Sequence, residues 1–240
     1  MTARAIILVA GMSSRIRGVT GGLPKAFLKV GEESLIQRSI RLIRAAGVDD
    51  ITLVTGFMAE MFREAFPDCD FVYNPEFKST NTSVSLQLAL AARRPHGEEP
   101  GRVFVINGDV FFAEGIIEGM LASPSPSLAA VQKHPLSEEE IKVFVDQAGR
   151  ITRIGKHLNQ EMAHGEAFGM YMVGPRLSAY LKQELKLLGN PKIFYEEAMD
   201  RLFQAGHDMS VYDVGEALVQ EVDFPQDYQA LKDRVTDRVK

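Results

Sequence analysis

The chain has no tryptophan, a single cysteine and no long apolar run. Tryptophan offers the best ring face for a cation, so a cationic ligand here is left to weaker rings or to carboxylates. The lone Cys69 cannot form an internal disulfide and reads as a small apolar filler in a reducing compartment. Residues 5–10 are apolar over too short a stretch for a signal peptide or a membrane span. The expected location is therefore the cytoplasm, without membrane insertion. The net charge is −5 and no basic block is present, which argues against nucleic acid as a partner. No repeat or low-complexity tract is visible, and the five histidines show neither metal-ligand nor triad spacing. What remains is an ordinary globular composition, 45% hydrophobic and 25% charged over 240 residues. That length fits one large domain or a domain with a small insertion.

The start of the chain carries the most chemistry. Ala5-Ile6-Ile7-Leu8-Val9 runs into Ala10-Gly11-Met12-Ser13-Ser14-Arg15, and Leu23-Pro24-Lys25 follows. An apolar run feeding a small-residue loop reads as a buried parallel strand that ends at a phosphate site. Loop N–H groups can approach anionic oxygens there, Gly11 has no Cβ in the way, and Arg15 and Lys25 add fixed positive charge. The spacing excludes a P-loop, because Pro24 rather than glycine precedes Lys25. It also excludes a dinucleotide fingerprint, because the turn holds one glycine. The plainer alternative is a tight strand–helix turn with two surface cations.

The first half alternates strand and helix. Apolar spacing predicts a helix over 33–46 with Ile36, Ile40 and Ile43 on one face and Gly47 as its stop. A strand over 51–56, a short helix at 59–66 and a strand over 71–73 follow. A helix over 82–94 is capped by Asn81 or Thr80, and a strand over 102–106 ends at Asn107-Gly108-Asp109. This is the grammar of an α/β, Rossmann-like fold with a mostly parallel sheet and helices on both faces. Ser123-Pro124-Ser125-Pro126-Ser127 is the clearest loop. Beyond it, strands over 128–134, 142–146, 151–155 and 167–173 predict a small antiparallel excursion that covers the open end of the sheet. Helices at 175–188 and 194–205, strands near 209–214 and 218–223, and a charged helix over 225–237 complete the reading.

Ligands of open α/β sheets bind outside the carboxyl ends of the strands. Asp109 and Asp223 each end an apolar run, and two carboxylates converging on a triphosphate make a good Mg²⁺ site. Asp223 precedes Phe224-Pro225, so capping the last helix is the competing role for it.

With these segments in view, the chain resembles the nucleotidyltransferase superfamily of the sugar-nucleotide pyrophosphorylase fold, over essentially its whole length. The small-residue loop with Arg15 and Pro24-Lys25, the Asn107-Gly108-Asp109 loop and Glu221-Val222-Asp223 carry the resemblance. Tyr73-Asn74-Pro75-Glu76-Phe77, Thr80–Leu86, Ile154-Gly155-Lys156-His157-Leu158, Gly165–Gly169 and Phe194–Ala198 are similar to the CTP:phosphocholine cytidylyltransferase subgroup. That subgroup also resembles enzymes acting on 2-aminoethylphosphonate and inositol 1-phosphate. Ser13 stands where many relatives have a second glycine, as in the molybdopterin-cofactor guanylyltransferase branch.

The resemblance implies a single nucleotidyltransferase domain over 1–240, with a nucleotide-binding half at 1–123 and an acceptor-binding half plus C-terminal helix at 124–240. It implies CTP as donor, a small phosphate or phosphonate as acceptor, and Mg²⁺ as cofactor. By the same resemblance Ala10, Gly11, Met12, Ser13 and Ser14 cradle the triphosphate. Arg15 and Lys25 neutralise its charge, Asp109 and Asp223 hold the metal, and Lys156 binds the acceptor's phosphate. Thr82 and Ser83 are candidates for reading the cytosine edge, or equally first-turn capping residues. Glu166, Tyr195 and Glu196 fall in acceptor-covering segments. Phe168, Tyr171, Phe194 and Tyr195 could form a cage for a quaternary ammonium, each with a core role as the alternative. The missing tryptophan favours an aminoalkyl phosphonate over phosphocholine. A sugar-1-phosphate or inositol-1-phosphate nucleotidyltransferase is the second enzyme reading. A regulatory protein that has lost catalysis is the third, and the presence of Lys25, Asp109 and Asp223 argues against it. The sequence admits a homodimer.

Overall fold

The computed structural model describes residues 2–92 and 101–239. In chain order the first half contains β1 (Ala3–Val9), α1 (Arg17–Thr20), β2 (Lys29–Val30), β3 (Glu33–Ser34), α2 (Leu35–Ala45), β4 (Asp50–Thr55), α3 (Ala59–Ala65), β5 (Asp70–Tyr73), α4 (Thr82–Ala91), β6 (Arg102–Asn107), β7 (Val110–Phe112) and α5 (Ile116–Ala122). The second half contains β8 (Leu128–Gln132), β9 (Lys142–Val145), β10 (Ile151–Gly155), β11 (Gly165–Val173), α6 (Pro175–Leu187), α7 (Glu196–Gln204), β12 (Ser210–Asp213), β13 (Val219–Glu221) and α8 (Pro225–Val239).

The main sheet runs β10-β9-β11-β6-β1-β4-β5, with β8 beside β11 and β12 beside β8. Strands β6, β1, β4 and β5 are parallel, and β11 joins antiparallel to β6. Side chains alternate across β1, which explains the two layers of core. Ala5, Ile7 and Val9 pack with α2 and α5 residues on one face. Ile6 and Leu8 pack with residues of α4, α6 and α7 on the other. A third apolar cluster joins Ile16, Phe111 and Val222 to Leu231 of α8. Helix α2 starts at a reciprocal cap, in which Ser34 Oγ accepts from Gln37 N and Gln37 Oε1 accepts from Ser34 N. Asn81 caps α4, its side chain accepting from Thr82 N at 2.8 Å. No helix among the described residues is long and apolar enough to cross a membrane.

The α/β fold and the antiparallel excursion match the sequence reading. Four features were not foreseen: α1, the β2–β3 ribbon, β7 and α5. The strand expected over 128–134 stops at Gln132, and the one expected over 218–223 contracts to Val219–Glu221. Residues 93 and 94 of the expected 82–94 helix lie outside the described residues. Strand β11 forks: its first residues pair with β9, its last four pair with β6, and β8 runs along it with a register break between Ala167 and Tyr171. Gly169 sits at that break with φ +62°, and a Cβ there would strike the Asn107 side chain.

Candidate active site

A cavity of about 350 Å³ opens at the carboxyl ends of the parallel strands. One wall is the loop after β1, where Ala10, Gly11, Ser13, Ser14 and Arg15 face the space. Ser13 holds a left-handed backbone at φ 54°, and its Oγ accepts from Lys25 N at 2.7 Å. Ser13 therefore fixes the Pro24-Lys25 segment to the loop. A Cβ at Gly11 would meet no protein atom, so the space it leaves open belongs to the cavity. Met12 does not line the cavity; its side chain turns outward and is 42% exposed.

The floor brings together residues more than a hundred positions apart in sequence. Strands β7 and β13 form an antiparallel ribbon in which Val110 pairs with Glu221, and Val222 N donates to Asp109 O. This sets Asp109 and Asp223 side by side at one end of the ribbon. Gly108 makes the approach feasible: its N–H donates to Leu8 O, and a Cβ there would strike Val9 Cγ1. Lys25 Nζ contacts Asp109 and lies 2.6 Å from Asp223 Oδ1, while Arg15 sits 3.6 Å from the other Asp223 oxygen. Burial works against the Lys25 ammonium, but Asp109 and Asp223 overcome it and hold its pKa above the ordinary lysine value. Burial likewise opposes ionisation of Asp223, and Lys25 outweighs it and keeps that carboxyl below the ordinary range. Asp223 is not the cap of α8. That task falls to Asp227, whose Oδ2 accepts from Asp223 N and Phe224 N.

The two carboxylates fit a divalent cation. Asp109 Oδ1 is buried with no hydrogen-bond partner, an acceptor oxygen in want of a cation or donor. The described residues contain no group of three or more metal-ligating side chains. Two carboxylates completed by substrate phosphates and water are the pattern Mg²⁺ favours.

Another part of the cavity differs in character. Lys156 and Phe194 line it, with Lys156 Nζ 5.5 Å from the Phe194 ring centre and 3.4 Å from Glu139 Oε2. Glu196 also lines it, although only 4% exposed. Its Oε1 accepts from Tyr171 OH at 3.2 Å, and its Oε2 is buried without a partner. Burial pushes this carboxyl up to about 7. Glu221 faces the same space, and burial together with Asp109 and Glu166 pushes it well above the ordinary value.

Several sequence-derived candidates lie behind the walls. Glu166 is absent from the cavity surface: its Oε2 is 2.6 Å from His134 Nε2, and burial pushes it up to about 7 despite that partner. Tyr195 is fully buried and its hydroxyl donates to Asn107 Oδ1, so it supports the site from beneath. Of the four proposed cage rings only Phe194 reaches the cavity; Phe168, Tyr171 and Tyr195 are core. Thr82 does line the cavity, and its Oγ1 accepts from Tyr195 N at 3.4 Å. Ser83 does not: its Oγ donates to Ile193 O at 2.7 Å.

Sequence reasoning missed Asn74, Ser85, Asn107 and Glu221, all on the cavity surface. Asn74 is buried and donates to both Thr80 Oγ1 and Ser85 Oγ, which orders that side of the pocket. Asn74 follows the last residue of β5 and Asn107 is the last of β6. The rule about strand carboxyl ends would have found both.

The MobA-like NTP transferase domain family matches residues 5–220. The chain is 26% identical over 223 residues to 2-aminoethylphosphonate cytidylyltransferase of Lancefieldella rimae, covering 91% of this chain and 87% of that protein. It is 27% identical over 198 residues to choline-phosphate cytidylyltransferase of Haemophilus influenzae, covering 80% of each. The fold is that of a solved CTP:phosphocholine cytidylyltransferase from Streptococcus pneumoniae, with a TM-score of 0.83 over 98% of this chain and all of that one, at 19% identity. The chain belongs to the MobA-like NTP transferase family and is a nucleotidyltransferase.

Proposed function

We propose that this nucleotidyltransferase transfers CMP from CTP to a small phosphonate or phosphomonoester that carries a primary ammonium, with 2-aminoethylphosphonate as the type acceptor. The acceptor's phosphonate oxygen attacks the α-phosphorus of CTP in line. A P–O bond forms, the bond from the α-phosphorus to the bridging oxygen breaks, and pyrophosphate leaves with the electron pair. A phosphonate dianion is already a nucleophile near neutral pH, so positioning and charge neutralisation are the main requirements. The two halves of the chain are taken as one domain, a reading supported by the two larger apolar clusters, each of which draws residues from both halves.

In this reading the Gly11–Ser14 backbone holds the triphosphate, and Arg15 and Lys25 neutralise it and the departing pyrophosphate. Asp109 and Asp223 hold Mg²⁺, which supplies charge neutralisation at the reacting phosphorus. Lys156 binds the acceptor's phosphonate. Thr82 and its neighbours on the Asn74 side face the nucleoside. The names of the two cytidylyltransferase relatives support cytosine and an amine-bearing acceptor.

The acceptor choice rests on Glu196, which lines the cavity and whose Oε2 is a buried acceptor without a hydrogen-bond donor. A primary ammonium supplies N–H groups to such an atom, whereas a trimethylammonium has none. Among the described residues two aromatic rings line the cavity, Phe77 and Phe194, and of the candidate cage rings only Phe194 does, so a quaternary cation would meet fewer ring faces than a full cage offers. The test is pyrophosphate release with Mg²⁺, each of the four NTPs, and a panel of 2-aminoethylphosphonate, phosphocholine, inositol 1-phosphate and glucose 1-phosphate. Turnover with CTP and 2-aminoethylphosphonate at the highest kcat/KM is expected. Preference for phosphocholine overturns the primary-ammonium assignment, and turnover only with a sugar or inositol phosphate overturns the acceptor class.

A further inference from the structure

Lys142 opens β9 and is 1% exposed, among the largest fully buried side chains of the protein. Its ammonium makes three hydrogen bonds, all to main-chain carbonyls: Glu138 O at 2.8 Å, Glu140 O at 3.1 Å and Lys156 O at 2.8 Å. A buried ammonium is costly unless every donor is used, and here all three are. Charge on the donor makes each of these bonds stronger than its neutral counterpart.

The three carbonyls come from two segments that lie outside the strands. Two belong to the 138–140 turn, and the third belongs to the residue that follows β10. Lys142 pairs across the sheet with Gly155 on one side and Glu166 on the other. It thus fixes the main chain of Lys156 and the main chain on both sides of Glu139, whose carboxylate faces Lys156 Nζ. The next residue back, Ile141, lines the cavity beside Lys156. One ammonium therefore ties together the wall against which an acceptor would rest.

We propose that Lys142 is a positioning residue for the acceptor: by gripping the Lys156 carbonyl and the 138–140 turn, it sets where Lys156 Nζ meets the acceptor's phosphonate. This rests on the reading of Lys156 as the phosphonate ligand. Lys142 touches no substrate and acts through Lys156.

The experiment is a kinetic cycle of Lys142→Met, Lys156→Ala and the double variant, with CTP and 2-aminoethylphosphonate varied independently. Methionine keeps the length and apolar stem and removes the three donors. Lys142→Met is expected to raise the acceptor KM about tenfold, as a displaced binding group does, with the CTP KM changed by less than about twofold. In the Lys156→Ala background the same change should add less than about twofold, because the group it positions is gone. Equal rises in both KM values, or independent multiplicative effects in the double variant, would mark Lys142 as a general structural residue and overturn the proposal. No change in the acceptor KM would overturn it too. If Lys156→Ala alone leaves the acceptor KM unchanged, the reading of Lys156 fails and the proposal falls with it, a result distinct from the others. Should Lys142→Met lose its cooperative melting transition, Lys142→Gln keeps a donor pair and takes its place. Loss of folding in both variants would assign Lys142 to the fold alone and overturn the proposal.

Discussion

Lys25 stands between two carboxylates that belong to different halves of the chain, and its position explains why they tolerate one another. Asp109 and Asp223 would repel if left alone in a half-buried site. The ammonium holds them together before substrate arrives, and the unpartnered Asp109 Oδ1 shows that it does not satisfy the whole cluster. In the proposed reaction Asp109 and Asp223 would hold a divalent cation, and Lys25 would then be free to meet phosphate oxygens. Asp109→Asn tests this arrangement at constant volume. It is expected to lower kcat by about 10²–10³-fold, the usual cost of losing one group that stabilises developing charge, and to raise the Mg²⁺ concentration for half-maximal activity. Circular dichroism and melting checks should show the fold unchanged. Full activity at ordinary Mg²⁺ would remove Asp109 from the reaction.

At the scale of elements, the glycines of the site separate packing from ligand access. Gly108 is pressed against β1, with the place of a Cβ filled by Val9 Cγ1 and Leu8 O. Gly11 faces only open space. Gly108→Ala is expected to cost about 1–3 kcal/mol of stability, read by denaturant unfolding, and to displace Asp109. Gly11→Ala should leave stability within about 0.5 kcal/mol and instead raise the CTP KM, because the added methyl occupies space a phosphate needs. Comparable stability losses in both would contradict the assignment. The parallel half of the sheet was legible because each strand is an apolar run that stops at small or polar residues, as at Val9-Ala10-Gly11 and Ile106-Asn107. Strand β13 was read within 218–223, but its partner β7 was not, because three residues give no periodicity to read. Asp109 and Asp223 were thus picked out as the ends of apolar runs, and the device that unites them was invisible. The facing of β11 was hidden too. All nine of its residues are buried, so alternation could not tell that Glu166 meets His134 rather than the cavity. Tyr195 and Glu196 are consecutive and equally buried, yet one is satisfied by Asn107 while the other keeps a bare oxygen. That difference depends on packing across α4, β6 and α7, which no local pattern records.

The stability of the whole molecule should carry the mark of this acidic wall. Glu196 titrates at about 7 in the folded protein and near 4.5 when exposed, so the folded state retains a proton that the unfolded chain has lost. Stability therefore falls as pH rises from about 4.5, and the full penalty, on the order of 3 kcal/mol, is in place above about pH 7. Glu166 pushes in the same direction. Glu33, Asp146 and Asp223 are held below the ordinary carboxylate value, so their contribution is present above that value and lost as pH falls further. Ligand-free protein should accordingly melt highest near pH 5 and lose melting temperature toward pH 8. Glu196→Gln cannot ionise, and it should flatten that decline while raising the KM for 2-aminoethylphosphonate at pH 8. An ammonium seated against Glu196 favours the ionised form, so saturating acceptor with CTP and Mg²⁺ should also flatten the decline in the native protein. Acceptor binding and stability are then linked through one carboxyl. An unchanged slope in Glu196→Gln would mean that Glu196 ionises at its ordinary value in the fold, and the argument for a cationic acceptor would lose its support.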